Sequence, residues 1–310
     1  MRKPVRFLVA ASLLLIHSAA FPCLNEYSAR QNAPMQDHRL NLNYLLEPSD
    51  TYHPYWLHGF QNQGLLDRQN QYLKMGIRNL NFRDLSDFAV IELKLGDKEK
   101  GLTILEELYR KRPTEYNIVA NLGTAYELNG DLPKALEYLK KAVALNPGSH
   151  YGSEWIHIKI LEQQLADSPD YKKIINLGIT DFQKWLTDKT YQFPRPADSL
   201  KLQIASQLNE RIAFIAPPDP VIGQLVTDFA DIVAKTDSIG AAKTFYRYAL
   251  TYDGHLKDSI AKRISGIEAS EKEVKDTFRW ASVVWAVPLL ALVMIFLAWL
   301  KSLRQRKPTK

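Results

Sequence analysis

The chain has 310 residues, of which 46% are hydrophobic and 24% are charged, a composition typical of a folded protein rather than a disordered one. Its formal net charge of +6 comes from the two ends, because residues 1–20 and 301–310 hold eight basic residues and no acidic one. The remainder has 32 basic and 34 acidic residues, a net charge of −2. This balance removes the main electrostatic argument for nucleic acid binding.

Residues 1–20 have the pattern of a secretory signal peptide. Arg2, Lys3 and Arg6 form a positive start, and an apolar run of about ten residues follows, which is too short to span a bilayer. Small residues at 18–20 predict a cleavage point. The alternative is a short N-terminal anchor that stays attached. The only cysteine, Cys23, excludes an intramolecular disulfide and any multi-cysteine metal site.

Residues 21–81 are predicted to form an irregular segment followed by a capping helix. The part at 51–60 is dense in aromatic residues and contains His53 and His58, which invite a metal-site interpretation. Their spacing does not suit one helical face, and no third ligand lies nearby in sequence. We therefore favour an aromatic cap over the end of a helical array, with a helix at 62–77.

The clearest motif of the chain lies at residues 116–149. Apolar or small residues recur there at helical spacing on both sides of a turn at 129–131. They are Val119, Leu122, Gly123 and Tyr126, then Ala135, Leu139 and Ala142, with Pro147 closing the unit. This order resembles the tetratricopeptide repeat, a helix–turn–helix unit of about 34 residues. The resemblance implies two antiparallel helices that meet closely at Gly123.

Weaker copies of the same motif flank this unit. Residues 82–115 form a degenerate copy, and residues 150–183 keep a first helix at 151–166 with a poor second half. A proline-containing insertion with one helix follows at 184–222, and another hairpin is predicted at 223–256. One hairpin cannot bury its apolar face alone, so such units stack. The resemblance therefore implies an all-α, right-handed helical solenoid.

The C-terminal part predicts a membrane anchor. Residues 257–279 form a charged stalk helix, and residues 280–300 contain no charge, with Trp280 and Trp299 at their ends. At about 1.5 Å per residue such a helix is about 31 Å long, enough to cross a hydrocarbon core as a transmembrane helix. The basic tail at 301–310 predicts that this end is cytoplasmic. The expected location is the cell membrane, with the main body periplasmic or lumenal.

In the family that the repeat resembles, the first helix of each hairpin lines a concave groove. The resemblance implies a groove for a protein or peptide partner at Asn117, Asn121, Thr124, Glu127, Tyr151, Trp155 and Ile158. Asn121 matches a position whose amide holds a peptide backbone through one donor and one acceptor. The alternative is that Asn121 only bonds a neighbouring loop.

Two aromatic residues of this groove are four positions apart, and they predict a pocket on one helical face. These are Tyr151 and Trp155, and the alternative for Trp155 is a place in the core. Chaperone-tail-binding members of the family clamp a carboxylate with basic residues. The matching positions hold Ser86, Val90, Tyr151 and Trp155, so a neutral or aromatic-anchored partner fits better.

The chain contains no glycine-rich phosphate loop, no HExxH and no GxSxG motif, so we expect no catalysis, no cofactor and no metal. The predicted function is a membrane-anchored extracytoplasmic scaffold for protein or peptide partners. An alternative is an enzyme, or an accessory subunit, whose site is built from residues 51–60 and 184–222. A third is a structural spacer that self-associates.

Overall fold

The computed structural model describes residues 24–27, 62–212, 215–237, 239–272, 292–297 and 299. Every regular element in these ranges is helical, which agrees with the all-α prediction. The α-helices are α1 (Asn62–Met75), α2 (Phe82–Leu95), α3 (Lys98–Lys111), α4 (Tyr116–Leu128), α5 (Leu132–Leu145), α6 (Glu154–Gln164), α7 (Phe182–Thr187), α8 (Ala197–Ile212), α9 (Pro220–Thr236) and α10 (Ile239–Tyr252). Residues 257–272 are helical as well.

Two compact units divide the chain. One holds Met1–Leu177 and Phe193–Leu256, and the other holds Gly178–Gln192 and Lys257–Lys310. In the first unit, α1 to α6 pack in chain order, each against the next. Helix α8 packs on α6, and α9 packs on both α8 and α10. This succession of neighbouring helices is consistent with a tetratricopeptide-like solenoid.

Local sequence signals set the ends of the repeat helices. Asn81 begins α2 by accepting hydrogen bonds from two backbone amides, and Gly96 ends it in the left-handed conformation at φ 98°. Asp97 and Asp131 cap α3 and α5 in the same way, each accepting from the backbone N–H three residues on. The second helices of the two hairpins, α3 and α5, therefore begin with the same cap, whereas Glu115 before α4 makes no side-chain cap.

A close helix crossing is the reason for glycine at position 123. A Cβ built there would lie 3.1 Å from Cγ of Leu139 and 3.2 Å from its backbone nitrogen. Leu139 is fully buried, so it has little room to move away. The sequence prediction of a tight α4–α5 contact at Gly123 agrees with this geometry.

Helix α4 is the centre of the first unit. All residues from Asn117 to Leu128 are buried, including four polar side chains, Asn117, Asn121, Thr124 and Glu127. Packing of α3 and α5 accounts for the apolar side of α4. Its polar face must therefore be covered by other parts of the chain, because a buried polar group is costly without a partner.

The third predicted repeat departs from the pattern. The helix expected at 151–166 begins only at Glu154, because His150 and Tyr151 have positive φ angles of 49° and 61° in a 3-10 turn. The second half of this repeat contains one 3-10 turn at Tyr171–Lys173 where the family has a helix. Helix α8, from the predicted insertion, packs against α6 instead.

Helices α9 and α10 form a hairpin at Pro220–Tyr252, in the region where the sequence predicts one at 223–256. Asp219 caps α9 by accepting a hydrogen bond from the Ile222 amide at 2.7 Å, and Pro220 occupies the first turn. At the same end of the hairpin, a Cβ built on Gly223 would lie 2.6 Å from Cβ of Asp253. Glycine at 223 therefore lets the two ends of the hairpin meet.

The second unit contains α7 and the helical residues 257–272. Trp185 of α7 is buried and contacts Phe182 and Tyr191 through ring contacts of 5.9 and 5.3 Å. Gly266 lies against the ring of Phe182, where an added Cβ would be 3.3 Å from the ring. Aromatic packing therefore joins the two sequence segments of this unit.

Among the described residues, no helix is both long enough and apolar enough to cross a membrane. The predicted signal peptide at 1–20, the aromatic segment at 51–60 and the basic tail at 301–310 lie outside the described residues. Most of the predicted span at 280–300 does so too. Its described part, 292–297 and 299, is helical and exposed.

Candidate peptide-binding surface

Four of the predicted groove residues share one face of α4. Asn117, Asn121, Thr124 and Glu127 repeat every three or four positions, and each is at most 3% exposed. On the neighbouring α6, Trp155 and Ile158 are half-buried. The role of these residues in partner binding stays a prediction, but the structure shows what each region contacts within the chain.

Asn121 holds the main chain of residue 25. Its Nδ2 donates to the carbonyl oxygen of Asn25 at 2.8 Å, and its Oδ1 accepts from the backbone N–H of Asn25 at 2.6 Å. This pair of bonds is the one that the resemblance implies for a bound peptide. The peptide here is a segment of the same chain, residues 24–27, which we call the docked segment.

Glu26 of the docked segment reaches two basic side chains on different helices. Its Oε1 lies 2.6 Å from Nζ of Lys94 on α2, and its Oε2 lies 2.6 Å from Arg68 on α1. Burial alone would raise the pKa of Glu26, but the charges and hydrogen bonds of Lys94 and Arg68 outweigh it and lower the pKa. The surface therefore favours a carboxylate at this position.

Tyr27 ends the docked segment through its backbone and its ring. Its N–H donates to Oδ1 of Asp87 at 2.6 Å, and its ring packs edge-on against Phe82 at 5.8 Å. The hydroxyl donates to Glu115 at 3.4 Å. Burial, together with the charge of Glu115, raises the pKa of Tyr27 to about 12. The tyrosine therefore stays neutral and acts as a donor at physiological pH.

The first two side chains of the docked segment point into the first unit. Leu24 is 7% exposed and joins the apolar cluster that includes Val90, Leu93 and Leu161. Oδ1 of Asn25 lies 3.0 Å from Nε2 of His150, whereas its Nδ2 is buried and has no hydrogen-bond partner among the described residues. The surface contacted by residues 24–27 is called the docking surface below; it lies on α1, α2 and α4, with contributions from α6, α8 and the 3-10 turn at His150.

A buried charge cluster covers the other end of the polar face of α4. Oε2 of Glu127 lies 2.7 Å from Nε2 of His157 on α6, and its Oε1 accepts from Arg211 on α8 at 3.2 Å. All three side chains are fully buried. Burial alone would lower the pKa of His157, but the charge of Glu127 and the bonds to Glu127 and Glu154 outweigh it and raise the pKa. An imidazolium at 157 and Arg211 therefore compensate buried carboxylates.

Glu154 extends this cluster towards the 3-10 turn. Its carboxylate lies 3.5 Å from Nδ1 of His157 and 3.6 Å from His150, and it accepts from the hydroxyl of Tyr116 at 3.3 Å. Burial alone would raise the pKa of Glu154, but the neighbouring histidines and Tyr116 outweigh it and lower the pKa. The cluster thus joins α4, α6 and α8 through alternating charges.

The predicted aromatic pocket has a different form. Tyr151 is 41% exposed but precedes α6 in the 3-10 turn, so it does not share a helical face with Trp155. The indole of Trp155 donates to Gln203 of α8 at 2.9 Å, and the guanidinium of Arg195 lies 4.6 Å from the ring centre. Helix α8 and the turn before it therefore cover Trp155.

Sequence reasoning missed the residues that cover the face of α4. The docked segment lies 96 positions before Asn121, and Arg211 lies 84 positions after Glu127. No periodicity connects such distant positions. Arg68 and Lys94, which bind the Glu26 carboxylate, are not at the positions where the family clamps one. A basic residue on each of α1 and α2 is too common a signal to identify them.

Comparison with known proteins supports the repeat interpretation. Residues 119–149 match the family model of the tetratricopeptide repeat. A search of curated proteins finds no significant match. The matched region covers α5 and most of α4, the helix that carries Asn121. Together with the all-helical fold, the match supports a tetratricopeptide repeat protein and a scaffold for protein–protein interaction.

Proposed function

We propose that the chain is a non-catalytic scaffold, anchored in the membrane, that holds a protein or peptide partner outside the cytoplasm. The observation that carries this proposal is the pair of hydrogen bonds from Asn121 to the backbone of Asn25, within the region that matches the repeat family. A side-chain amide that supplies both a donor and an acceptor can hold any extended residue in the same way. The same helix face is thus chemically suited to a peptide from another protein.

The proposed location rests on the sequence and on one surface feature. The signal-like residues 1–20, the uncharged stretch at 280–300 and the basic tail favour a single-pass protein with an external body. Within that stretch, Leu292 to Leu297 are helical and each side chain is between 47% and 70% exposed. A helix surface that exposes only apolar side chains fits lipid better than water.

The alternative enzyme would use residues 51–60 and 184–222. The first range lies outside the described residues. In the second, the polar residues Gln203, Gln207 and Arg211 of α8 are directed to Trp155, Ser153 and Glu127, where they pack the first unit. These contacts favour a structural role for the insertion, and the scaffold remains the function that we propose.

A photoreactive residue at Tyr151 tests the scaffold proposal, because this side chain is exposed beside the charge cluster. The full chain carrying the probe is irradiated in its native membrane, and captured proteins are identified by mass spectrometry. The matched control carries the probe at Glu137, which is exposed on the outer side of α5. We expect a defined partner from position 151 alone. Equal, scattered labelling from both positions would count against a partner in this region.

A further inference from the structure

The docking surface binds the backbone of its occupant at residues 25 and 27 and contacts the side chains of residues 24, 26 and 27. At residue 25 both bonds from Asn121 go to main-chain atoms, so any residue in an extended conformation satisfies them. At residue 27 the backbone N–H donates a hydrogen bond to Asp87. Main-chain contacts of this kind give affinity, and the neighbouring side-chain sites give specificity.

Three side-chain sites define which peptide fits. Leu24 enters an apolar cluster, Glu26 lies between two basic groups, and Tyr27 packs on Phe82 below the guanidinium of Arg83 at 5.6 Å. The acidic site is the most selective, because Arg68 and Lys94 come from different helices and converge on one carboxylate. A neutral residue there would leave two partly buried cations without this partner.

The docked segment is separable from the helices that bind it. The groups that bind its backbone and its carboxylate are side chains of α1, α2, α4 and α8, because Glu210 of α8 also accepts a hydrogen bond from the Leu24 backbone. In sequence, 34 residues separate Tyr27 from Asn62, the first residue of α1. The occupant also leaves Nδ2 of Asn25 buried without a partner among the described residues, which weakens its own binding.

We propose that the docking surface is a recognition site for a peptide with an apolar, a variable, an acidic and an aromatic residue in succession, and that residues 24–27 occupy it as an intramolecular competitor. This inference rests on the proposed function and specifies the chemistry of its ligand. A partner segment with the same pattern displaces residues 24–27 and then holds the same bonds to Asn121, Arg68 and Lys94.

The test uses the full chain and a synthetic peptide, because the natural partner is not needed to measure the site. The peptide is a fluorescent copy of residues 21–29 with Cys23→Ser, and its binding is followed by fluorescence anisotropy. The chain is opened by Glu26→Arg, which places a cation between Arg68 and Lys94 and expels the docked segment. We expect the opened chain to bind the peptide at least about tenfold more tightly than the unaltered chain.

Matched variants separate recognition from unspecific binding. A second substitution, Asn121→Ala, removes the backbone bonds and should abolish peptide binding by the opened chain. A peptide with Glu26→Gln should bind at least about tenfold more weakly than the original. The control chain carries Glu137→Arg, a charge reversal on the exposed side of α5, and should behave like the unaltered chain. Far-UV circular dichroism checks that each variant keeps its helices.

A second variant that releases the docked segment provides an independent test, in case Glu26→Arg also disturbs the fold. Asn25→Pro removes the backbone N–H that donates to Oδ1 of Asn121, and it adds no charge. Failure of the peptide to bind both folded, opened chains would overturn the inference. Binding that survives Asn121→Ala would overturn it as well. A dimeric unaltered chain that Asn121→Ala converts to monomers would overturn the intramolecular assignment, since the segment would then come from a second copy.

The two proposals can fail separately. If Tyr151 captures a defined partner but the peptide does not bind the opened chains, only the present inference is wrong. If the peptide binds as expected but no partner is captured in the membrane, the docking surface serves the chain itself and the scaffold proposal is wrong.

Discussion

Single side chains on the polar face of α4 show where the sequence was informative. Asn121 could be identified as a backbone-binding amide because the repeat pattern gives its position in the helix, and in the structure it binds the backbone of Asn25. Glu127 was placed in the same groove, but its partners His157 and Arg211 come from other helices. Helical periodicity gives the face on which a residue lies and carries no information about what covers that face.

The pKa of His157 leads to a prediction about stability and pH. Its pKa is raised in the folded chain, so the folded state binds the proton more tightly than the unfolded state. The stabilisation is fully present below about pH 6.5, the unfolded pKa, and is lost as the pH rises through the raised folded pKa. We expect His157→Gln to cost about 1–3 kcal/mol of unfolding free energy at pH 6 and less at higher pH.

Urea denaturation of the full chain and the variant, repeated between pH 6 and pH 10, measures this difference. The control is His255→Gln, because the side chain of His255 is exposed and far in sequence from the cluster. That control should leave the pH dependence unchanged. A constant difference between His157→Gln and the unaltered chain over the whole range would show that protonation of His157 does not stabilise the fold.

The pKa of Glu26 predicts a pH dependence of stability opposite to that of His157. Its pKa is lowered in the folded chain, so its stabilisation is present above the unfolded value of 4.5 and is lost as the pH falls through the lowered pKa. At pH 7, Glu26→Gln should cost about 1–3 kcal/mol, because hydrogen bonds to charged groups are the strong ones. Below the lowered pKa the two proteins should have equal unfolding free energies.

Equilibrium unfolding at pH 7 and at successively lower pH tests this expectation. Glu137→Gln serves as the control, since Glu137 and Lys141 form an exposed pair on α5. Such a pair contributes at most about 0.5 kcal/mol, so the control should change little. A loss at pH 7 no larger than that of the control would mean that the two basic residues do not hold the docked segment.

At the scale of the element, the repeat helices are well predicted and the third unit is not. Side-chain caps begin α2, α3 and α5, a small residue at Gly123 lets α4 meet α5, and these signals are local in sequence. The third unit depends on a 3-10 turn with positive φ at His150 and Tyr151, and on α8, which packs against α6. The prolines of the insertion indicate a break, but they do not indicate where the following helix packs.

Gly123 tests the contact between the two best-predicted elements. Alanine has the higher helix propensity by about 1 kcal/mol, but its Cβ would lie 3.2 Å from the backbone nitrogen of Leu139. Since backbone in a buried crossing cannot move locally, we expect Gly123→Ala to be destabilising by about 1–3 kcal/mol overall. The matched control is Gly64→Ala in α1, where an added Cβ meets nothing within 4 Å and should be neutral or slightly stabilising.

Thermal denaturation followed by circular dichroism compares the two alanine variants directly. A lower melting temperature for Gly123→Ala, together with an unchanged or higher one for Gly64→Ala, is the expected pattern. Should Gly123→Ala melt at or above the unaltered chain, helix propensity would outweigh the steric contact, and the α4–α5 crossing would be looser than its geometry indicates.

At the scale of the whole molecule, the predicted cleavage point and the docked segment lie close together in sequence near the N-terminus. The signal-like pattern predicts cleavage after residue 20, and the docked segment begins four residues later. Sequence alone gave no reason to place residues 24–27 on the repeats, since they lack periodicity and lie far from Asn121. Cleavage at the predicted point would place the docked segment close to a free end, which is the arrangement in which a competitor exchanges most readily.

The predicted membrane anchor determines where in the cell the proposed scaffold would bind its partner. Removal of residues 280–310 should move the protein from the membrane pellet, after alkaline carbonate extraction, into the supernatant, because an uncharged stretch of 21 residues is what holds a single-pass protein in lipid. The control deletes only 301–310, which removes five basic residues and leaves the apolar stretch, so this variant should stay in the pellet. Its orientation would be less strictly determined, because cytoplasmic Lys and Arg residues set it. If the chain ending at 279 still pelleted, the anchor would lie elsewhere and residues 1–20 would be the next segment to remove.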